Sequence, residues 1–151
     1  MKRIHLFEFG DQKWFPLFLK HYGTDFLAFL SQATKMYQPI LPLLDKSLHN
    51  NQTTSIIDLC SGSGGDWRWL SKALQKNYPT IKVTLTDYFP HKAAFNSLHK
   101  QAGNINYHPQ AVDARQVPLA LQGLRTLFLS FHHFNPKEAK RILQNALDTN
   151  N

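Results

Sequence analysis

Short apolar segments alternate with helical segments from about residue 53 onward, and this alternation limits the possible folds more than any other feature of the sequence. Strands are predicted at 55–59, 81–87, 105–108 and 126–131, where the residues are apolar or alternate in polarity. Helices are predicted over about 66–77 and 91–102, and again from Pro136 with Asn135 as its cap. Strands that alternate with helices form right-handed crossovers, so the sequence predicts an α/β fold with a parallel sheet.

Residues 1–52 have a helical pattern instead. Apolar side chains recur at helical spacing between Phe15 and Leu30, and Pro16 suits the first turn of a helix. Pro39 and Pro42 open a second helix that runs to about His49. We therefore expect an N-terminal helical segment over 1–52, belonging to the same domain as an α/β region over 53–151.

Three carboxylates follow three successive predicted strands. Asp58, Asp87 and Asp113 fall at or near the carboxyl ends of those strands. In an open α/β sheet these ends meet at one edge, and ligands bind there. The sequence thus predicts a single cleft lined by the three acids.

A glycine-rich loop over 58–66 connects the first strand to the next helix. Glycine permits positive φ and lets the backbone approach a ligand closely. The free N–H groups at the start of the helix suit a carboxylate. The acid at Asp58 disfavours a pyrophosphate and favours a ligand with a cationic amino acid moiety.

Residues 55 to about 136 resemble the first half of a class I S-adenosylmethionine-dependent methyltransferase. The first motif of that family is commonly D-x-G-x-G-x-G, and here it reads Asp58, Cys60, Gly62 and Gly64, with cysteine in place of the first glycine. The resemblance implies a Rossmann-like parallel sheet with strand order 3-2-1-4, preceded by the N-terminal helices. A complete sheet of the family usually has seven strands, so we expect the α/β domain to be truncated at its C-terminus.

The resemblance implies S-adenosylmethionine as the cofactor. Asp58 would lie near its ammonium group, with Gly62 and Gly64 in close backbone approach to the methionine part. Asp87 would accept hydrogen bonds from the ribose hydroxyls, because a carboxylate can accept from both.

The adenine ring would lie against the next two segments. Tyr88 would pack on its face, and Asp113, in the Asp-Ala pair that precedes Pro118, would accept from its amino group. The residues expected to bind the cofactor are Asp58, Cys60, Ser61, Gly62, Gly64, Asp87, Tyr88, Asp113, Ala114 and Ser130.

A histidine-containing segment follows the fourth predicted strand, as in many small-molecule methyltransferases. His132 and His133 are the candidate catalytic residues, because histidine is a natural general base near neutral pH. The eight histidines form no paired metal-binding pattern, so no metal is expected. The methyl acceptor remains unidentified, and a small molecule is the favoured class.

Charge, apolar content and cysteine content limit which classes of partner and which cellular compartment the sequence predicts. The formal net charge is +7, but the basic residues are scattered, so nucleic acid is a less favoured partner than a small molecule. The chain has no run of 18 apolar residues, which argues against a membrane span. The single cysteine excludes an internal disulfide and suits the cytoplasm.

Two alternatives stay open. A non-catalytic module could bind S-adenosylmethionine or a nucleotide without transferring a methyl group. An NAD-dependent dehydrogenase is less favoured, because position 67 is Trp where its G-x-G-x-x-G fingerprint needs glycine. Because residues 126–131 carry no charge and no proline, we also expect self-association through this exposed strand.

Overall fold

The computed structural model describes Phe9 and residues 12–149. Within this part of the chain, five α-helices and four β-strands alternate largely as the sequence predicts. The elements are α1 (Leu17–Thr34), α2 (Leu41–Asn50), β1 (Ser55–Leu59), α3 (Trp67–Leu74), β2 (Lys82–Leu85), α4 (Lys92–Gln101), β3 (Ile105–Tyr107), β4 (Leu124–Leu127) and α5 (Pro136–Asp148), with short 3-10 turns at Gln38–Ile40 and Phe131–His133.

The four strands form one parallel sheet in the order β3-β2-β1-β4, which confirms the predicted topology. The central strand is β1, and Asp58 near its end pairs with Leu85 of β2 and Thr126 of β4. The carboxyl ends of these three strands therefore lie side by side, and the loops that follow them can build one site.

Alternate residues of β1 point into two separate cores. Ile56 belongs to the larger core, in which α2, α3 and α4 contribute buried side chains such as Leu48, Leu70 and Phe95. Ile57 and neighbouring Leu59 belong to a smaller core that includes Ile142 of α5. Both faces of the central strand are thus covered, as a parallel sheet requires.

The start of α5 follows the sequence prediction closely. The side chain of Asn135 accepts hydrogen bonds from the backbone N–H groups of Lys137 and Glu138. The Glu138 carboxylate in turn accepts from the Asn135 N–H, which completes a capping box in front of Pro136. The predicted position of Pro16 differs slightly, since it precedes the first turn of α1 as the N-cap residue.

The fourth strand departs from its prediction. It spans Leu124–Leu127 rather than 126–131, and Thr126 is its only fully buried residue. The chain leaves the sheet after Leu127, and Leu129 has a left-handed φ of 52°. The ring of Phe128 packs against Tyr37 and Trp67. The chain therefore stays apolar past the end of the strand because of this aromatic packing and not because of the sheet. The edge available for the expected self-association is correspondingly shorter, and that expectation stays a prediction.

Helix α1 carries its predicted apolar residues mostly on the outside. Phe18, Tyr22, Phe26 and Phe29 are all more than half exposed, whereas the buried residues of the helix are Ala28 and Ser31. The helix therefore contacts the rest of the protein through a small and polar face. No helix in the described part of the chain is long and apolar enough to cross a membrane.

Candidate ligand-binding site at the glycine loop

The loop between β1 and α3 is held in an unusual backbone conformation. Four of its residues have positive φ, namely Cys60 (55°), Gly62 (56°), Gly64 (86°) and Gly65 (40°). Hydrogen bonds from Ser61 N to the Thr86 carbonyl (2.9 Å) and from Gly64 N to the Ser61 carbonyl (2.7 Å) fix the turn. The cysteine that departs from the family motif thus occupies a conformation that glycine adopts without strain.

The glycines of the loop serve different purposes. A Cβ atom on Gly64 would lie 2.2 Å from Leu98 Cδ1, so this glycine allows α4 and β2 to pack against the loop. A Cβ on Gly62 would meet the Thr24 side chain of α1 at 3.1 Å, whereas one on Gly65 would meet nothing within 4 Å. Close packing within the protein, not only approach to a ligand, therefore explains Gly62 and Gly64.

A cavity of about 110 Å³ lies between this loop, α1 and the segment that follows β4. Six of the predicted binding residues line it: Asp58, Cys60, Ser61, Gly62, Gly64 and Ser130. Its wall also contains Tyr37, Asp66 and Trp67, which the sequence analysis did not single out, together with a polar and apolar strip of α1. Among the described residues, no lysine, arginine or histidine lines the cavity.

Asp58 is the buried acid of the cavity that the sequence predicted. It is 2% exposed, and its Oδ1 accepts a hydrogen bond of 2.6 Å from the Thr126 hydroxyl. Burial raises the pKa of Asp58 to about 6, although the hydrogen bond from Thr126 lowers it. The Asp58 carboxyl can therefore carry a negative charge at neutral pH at a substantial cost in desolvation.

Asp66 is a second buried acid of the cavity, and it is also 2% exposed. One of its oxygens accepts a hydrogen bond of 2.8 Å from the indole N–H of Trp69, and the other has no partner. The hydroxyl of Tyr37 and the indole N–H of Trp67 are likewise buried without a hydrogen-bond partner. Unpartnered buried polar atoms are costly, which makes them candidates for contacts with a ligand.

The signal for Asp66 was present in the sequence but ambiguous. Asp66 directly precedes α3, where an acid is commonly read as a helix cap. Its side chain makes no capping hydrogen bond and instead lines the cavity. Tyr37 lies far from the glycine-rich motif in the sequence. It lines the cavity only because of where α1 and α2 lie relative to the sheet.

Asp87 is placed beside the glycine loop rather than in the cavity wall. Its two oxygens accept backbone N–H groups of Gly62 and Phe89, both at 2.8 Å. The carboxylate thus organises the loop and can still accept further hydrogen bonds, since each oxygen has a second lone pair. Tyr88 next to it is 41% exposed, so its ring is available for stacking and is not part of the core.

Asp113 and Ala114 are not brought to the cavity. Both oxygens of Asp113 accept hydrogen bonds from Arg115, which also pairs with Glu138 of α5. The Arg115 guanidinium lowers the pKa of Asp113 below its usual value. Ala114 is buried in the smaller core.

The segment after β4 contributes unequally. Ser130 lines the cavity, and its hydroxyl donates to the Phe128 carbonyl at 2.8 Å. His132 and His133 lie in the 3-10 turn with their rings 4.2 Å apart, and neither lines the cavity. A catalytic role for either histidine stays a prediction.

A polar cluster fastens α1 to the loop. The imidazole rings of His21 and His91 stack at 3.8 Å, and Asp25 accepts a hydrogen bond from the Ser63 hydroxyl. Ser63 and Asp25 both face the same nitrogen of His91, Nδ1, at 3.1 and 3.3 Å. A serine–histidine–aspartate relay needs the two ring nitrogens to serve different partners, so this cluster is not a hydrolytic triad.

Comparison with known proteins identifies no relative: no family model, no curated protein and no solved structure matches the chain. Among the described residues, no group of three or more histidine, cysteine or acidic side chains is arranged to hold a metal ion. The geometry and charge of the cavity are therefore the evidence for function.

Proposed function

We propose that this protein binds S-adenosylmethionine and belongs to the class I methyltransferases, acting on a small-molecule acceptor. The observation that carries the proposal is the buried carboxylate of Asp58 in a cavity to which residues 12–149 contribute no basic side chain, within a protein of net charge +7. An ionised carboxylate in such a place needs a cationic partner. The ammonium group of the methionine moiety supplies one.

The same observation argues against the dinucleotide alternative. A pyrophosphate on the glycine loop would add negative charge beside Asp58, and the described part of the wall has no lysine or arginine to compensate. The packing of Gly64 against Leu98 and Leu85 also accounts for the glycine without any phosphate. A cationic ligand is the better match.

The rest of the cofactor would extend out of the cavity. About 110 Å³ is less than the roughly 300 Å³ or more of typical small-molecule sites, so the enclosed space is too small for the whole cofactor and would take its amino acid end. The open surface beside the loop offers the Asp87 carboxylate for the ribose hydroxyls and the exposed ring of Tyr88 for adenine. The cofactor supplies a methyl group activated by a sulfonium centre.

The residues of this chain would mainly bind, orient and exclude water. Asp58 and the loop would fix the amino acid end, and α1 would cover it through Thr24, whose hydroxyl contacts the Ser63 hydroxyl at 2.9 Å. Such positioning is the main contribution a protein makes to methyl transfer. A cytoplasmic location remains part of the proposal.

Calorimetric titration tests the proposal directly. The purified chain should bind S-adenosylmethionine and its demethylated product S-adenosylhomocysteine, and should not bind NAD. Adenosine is the matched control, because it carries the ribose and adenine but no ammonium, and it should bind more weakly. Binding of NAD without binding of either sulfur compound would contradict the proposal.

A further inference from the structure

Two side chains of the cavity, Asp66 and Tyr37, are not used by any of the cofactor contacts above. Asp66 has one buried oxygen without a partner, and the buried hydroxyl of Tyr37 has none. Burial raises the pKa of Tyr37, and the charges of Asp66 and then Asp58 raise it further. The hydroxyl therefore lies within the electrostatic field of both acids, and more strongly within that of Asp66.

Aromatic rings surround this part of the cavity. The ring of Phe128 lies 4.7 Å from that of Tyr37 and 5.7 Å from that of Trp67, measured between centroids. The faces of aromatic rings attract cations, and the attraction is stronger where water is excluded. A carboxylate beside aromatic rings is a favourable environment for an ammonium group and a poor one for an anion.

One cation does not balance the charges of the cavity. Asp58 and Asp66 are buried to the same extent, and none of the wall residues that the structure describes is basic. If the cofactor's ammonium group pairs with Asp58, Asp66 still needs a positive partner. A methyl acceptor is the other molecule that must enter this site.

We propose that Asp66 and Tyr37 bind the methyl acceptor and that the acceptor is an amine. The inference rests on the proposed function, because it names the substrate class of the same cavity. Asp66 holds the amine as an ammonium ion and takes one of its protons, and the Tyr37 hydroxyl accepts from or donates to the nitrogen.

The transfer step balances without a further reactant. The lone pair of the neutral amine forms the new N–C bond while the C–S bond breaks, and sulfur keeps that electron pair as a neutral thioether. The methylated nitrogen carries the positive charge, and the proton given to Asp66 passes to solvent. No oxidant or reductant is needed.

Three probes of equal chain length test the charge preference of the cavity: butylamine, butanol and butyrate. Each is titrated by NMR into the protein saturated with S-adenosylhomocysteine. Butylamine should bind at least about tenfold more tightly than butanol, a difference typical of a charge-assisted contact. Butyrate should bind most weakly, and equal binding of all three would overturn the proposal.

Asp66→Asn removes the charge and keeps the shape. It should abolish the preference for butylamine while leaving the affinity for S-adenosylhomocysteine within about twofold, because Asp58 holds the cofactor. Displacement of S-adenosylhomocysteine by butylamine, or a loss of cofactor affinity in this variant, would instead assign Asp66 to the cofactor and overturn the inference.

Tyr37→Phe is the second variant, in case Asp66→Asn does not fold. It keeps the ring against Phe128 and removes only the hydroxyl, so it should weaken butylamine binding and leave cofactor binding unchanged. Unchanged butylamine binding in this variant would contradict the role given to the hydroxyl. If the wild-type protein fails to bind S-adenosylhomocysteine at all, the proposed function fails, which is distinct from failure of the amine inference alone.

Discussion

Asp58 and Asp113 follow two strands of the same sheet, yet their surroundings are opposite. Asp58 is buried beside a cavity whose described wall has no basic side chain, and burial raises its pKa to about 6. Asp113 is about one third exposed and paired with Arg115, which lowers its pKa. The topology thus fixes the position of an acid at the end of a strand. Its pKa and its ion pairs depend on the side chains that surround it.

The difference suggests a division of roles. Asp113 already has its positive partner and joins the loop after β3 to α5 through Arg115 and Glu138. Asp58 has no positive partner among the described residues of the cavity wall and can pair with a ligand. Comparing asparagine variants at the two positions tests whether one acid serves binding and the other serves stability.

The largest expected effect is on the pH dependence of stability. The pKa of Asp58 is about 6 in the folded protein against an ordinary value of 3.8, so the folded state holds the proton more tightly. Its stabilising contribution is full below pH 3.8 and is lost as the pH rises through about 6. The free energy of unfolding therefore falls by at most about 3 kcal/mol between the low and the high pH limit.

Asp58→Asn should therefore match the wild type near pH 4 and be more stable at pH 7, as measured by urea unfolding at both values. The amide oxygen of asparagine can still accept from Thr126, which keeps the comparison clean. Equal stability of the two proteins at pH 7 would mean that the Asp58 carboxyl is solvated in solution.

The second effect is on cofactor affinity. Asp58→Asn should weaken binding of S-adenosylhomocysteine by about 10- to 100-fold at pH 7.5, since hydrogen bonds to charged groups contribute about 1.5–3 kcal/mol. Asp113→Asn should change it by less than about threefold, because Arg115 already occupies both oxygens. A larger loss of affinity in Asp113→Asn would support the contact between Asp113 and the adenine amino group that the resemblance implies.

The pH profile of that binding distinguishes Asp58 from the histidine cluster. Wild-type affinity should rise as the pH passes through about 6, where Asp58 ionises, and the rise should be absent in Asp58→Asn. Asp113→Asn should keep it. A rise that persists in Asp58→Asn would show that another group controls the affinity, such as the stacked pair His21 and His91 that holds α1 against the loop.

The third effect is on the ion pair itself. Asp113→Asn should lower the free energy of unfolding at pH 7 by no more than about 1 kcal/mol, because the pair is partly exposed and screened by solvent. The pKa of Asp113 is lowered in the folded state. The stabilising contribution of the ion pair is therefore present above pH 3.8 and is lost as the pH falls through the pKa of the folded state. Thermal unfolding at low and high salt should show the loss shrinking as salt rises.

Much of the fold could be predicted because local patterns agree with the topology. The bounds of β1, the cap at Asn135 and the parallel order of the strands all follow from segments whose apolar pattern and punctuation point the same way. β4 was misplaced because the apolar run from Thr126 serves first the sheet and then the aromatic cluster around Phe128. Apolarity alone does not separate these two uses.

The predicted residues that line the cavity come from the contiguous motif, with Ser130 after β4 as the exception. Asp58 and the glycine loop were found because their neighbours in space are also neighbours in sequence. Tyr37 reaches the cavity from the N-terminal helices, and Arg115 turns its guanidinium to Asp113 and Glu138 rather than to solvent. Such pairings across elements leave no periodic signal in a single sequence.

The smallest expected effect concerns Cys60, which borders the cavity in the position where the methyltransferase motif has glycine. Its φ of 55° strains a residue with a side chain, by about 1–2 kcal/mol. Glycine removes that strain, but it adds about 0.5–1 kcal/mol of backbone entropy to the unfolded chain. Cys60→Gly should therefore be more stable than the wild type by only about 0.5 kcal/mol.

Cys60→Ala is the matched control, because it removes the thiol and keeps the strain. It should be no more stable than the wild type, and therefore less stable than Cys60→Gly by at least about 0.5 kcal/mol in paired urea titrations. Both variants should bind S-adenosylhomocysteine as the wild type does, since the backbone conformation at position 60 is retained. If alanine stabilises the protein as much as glycine does, the thiol and not the left-handed backbone at position 60 is what destabilises the wild type.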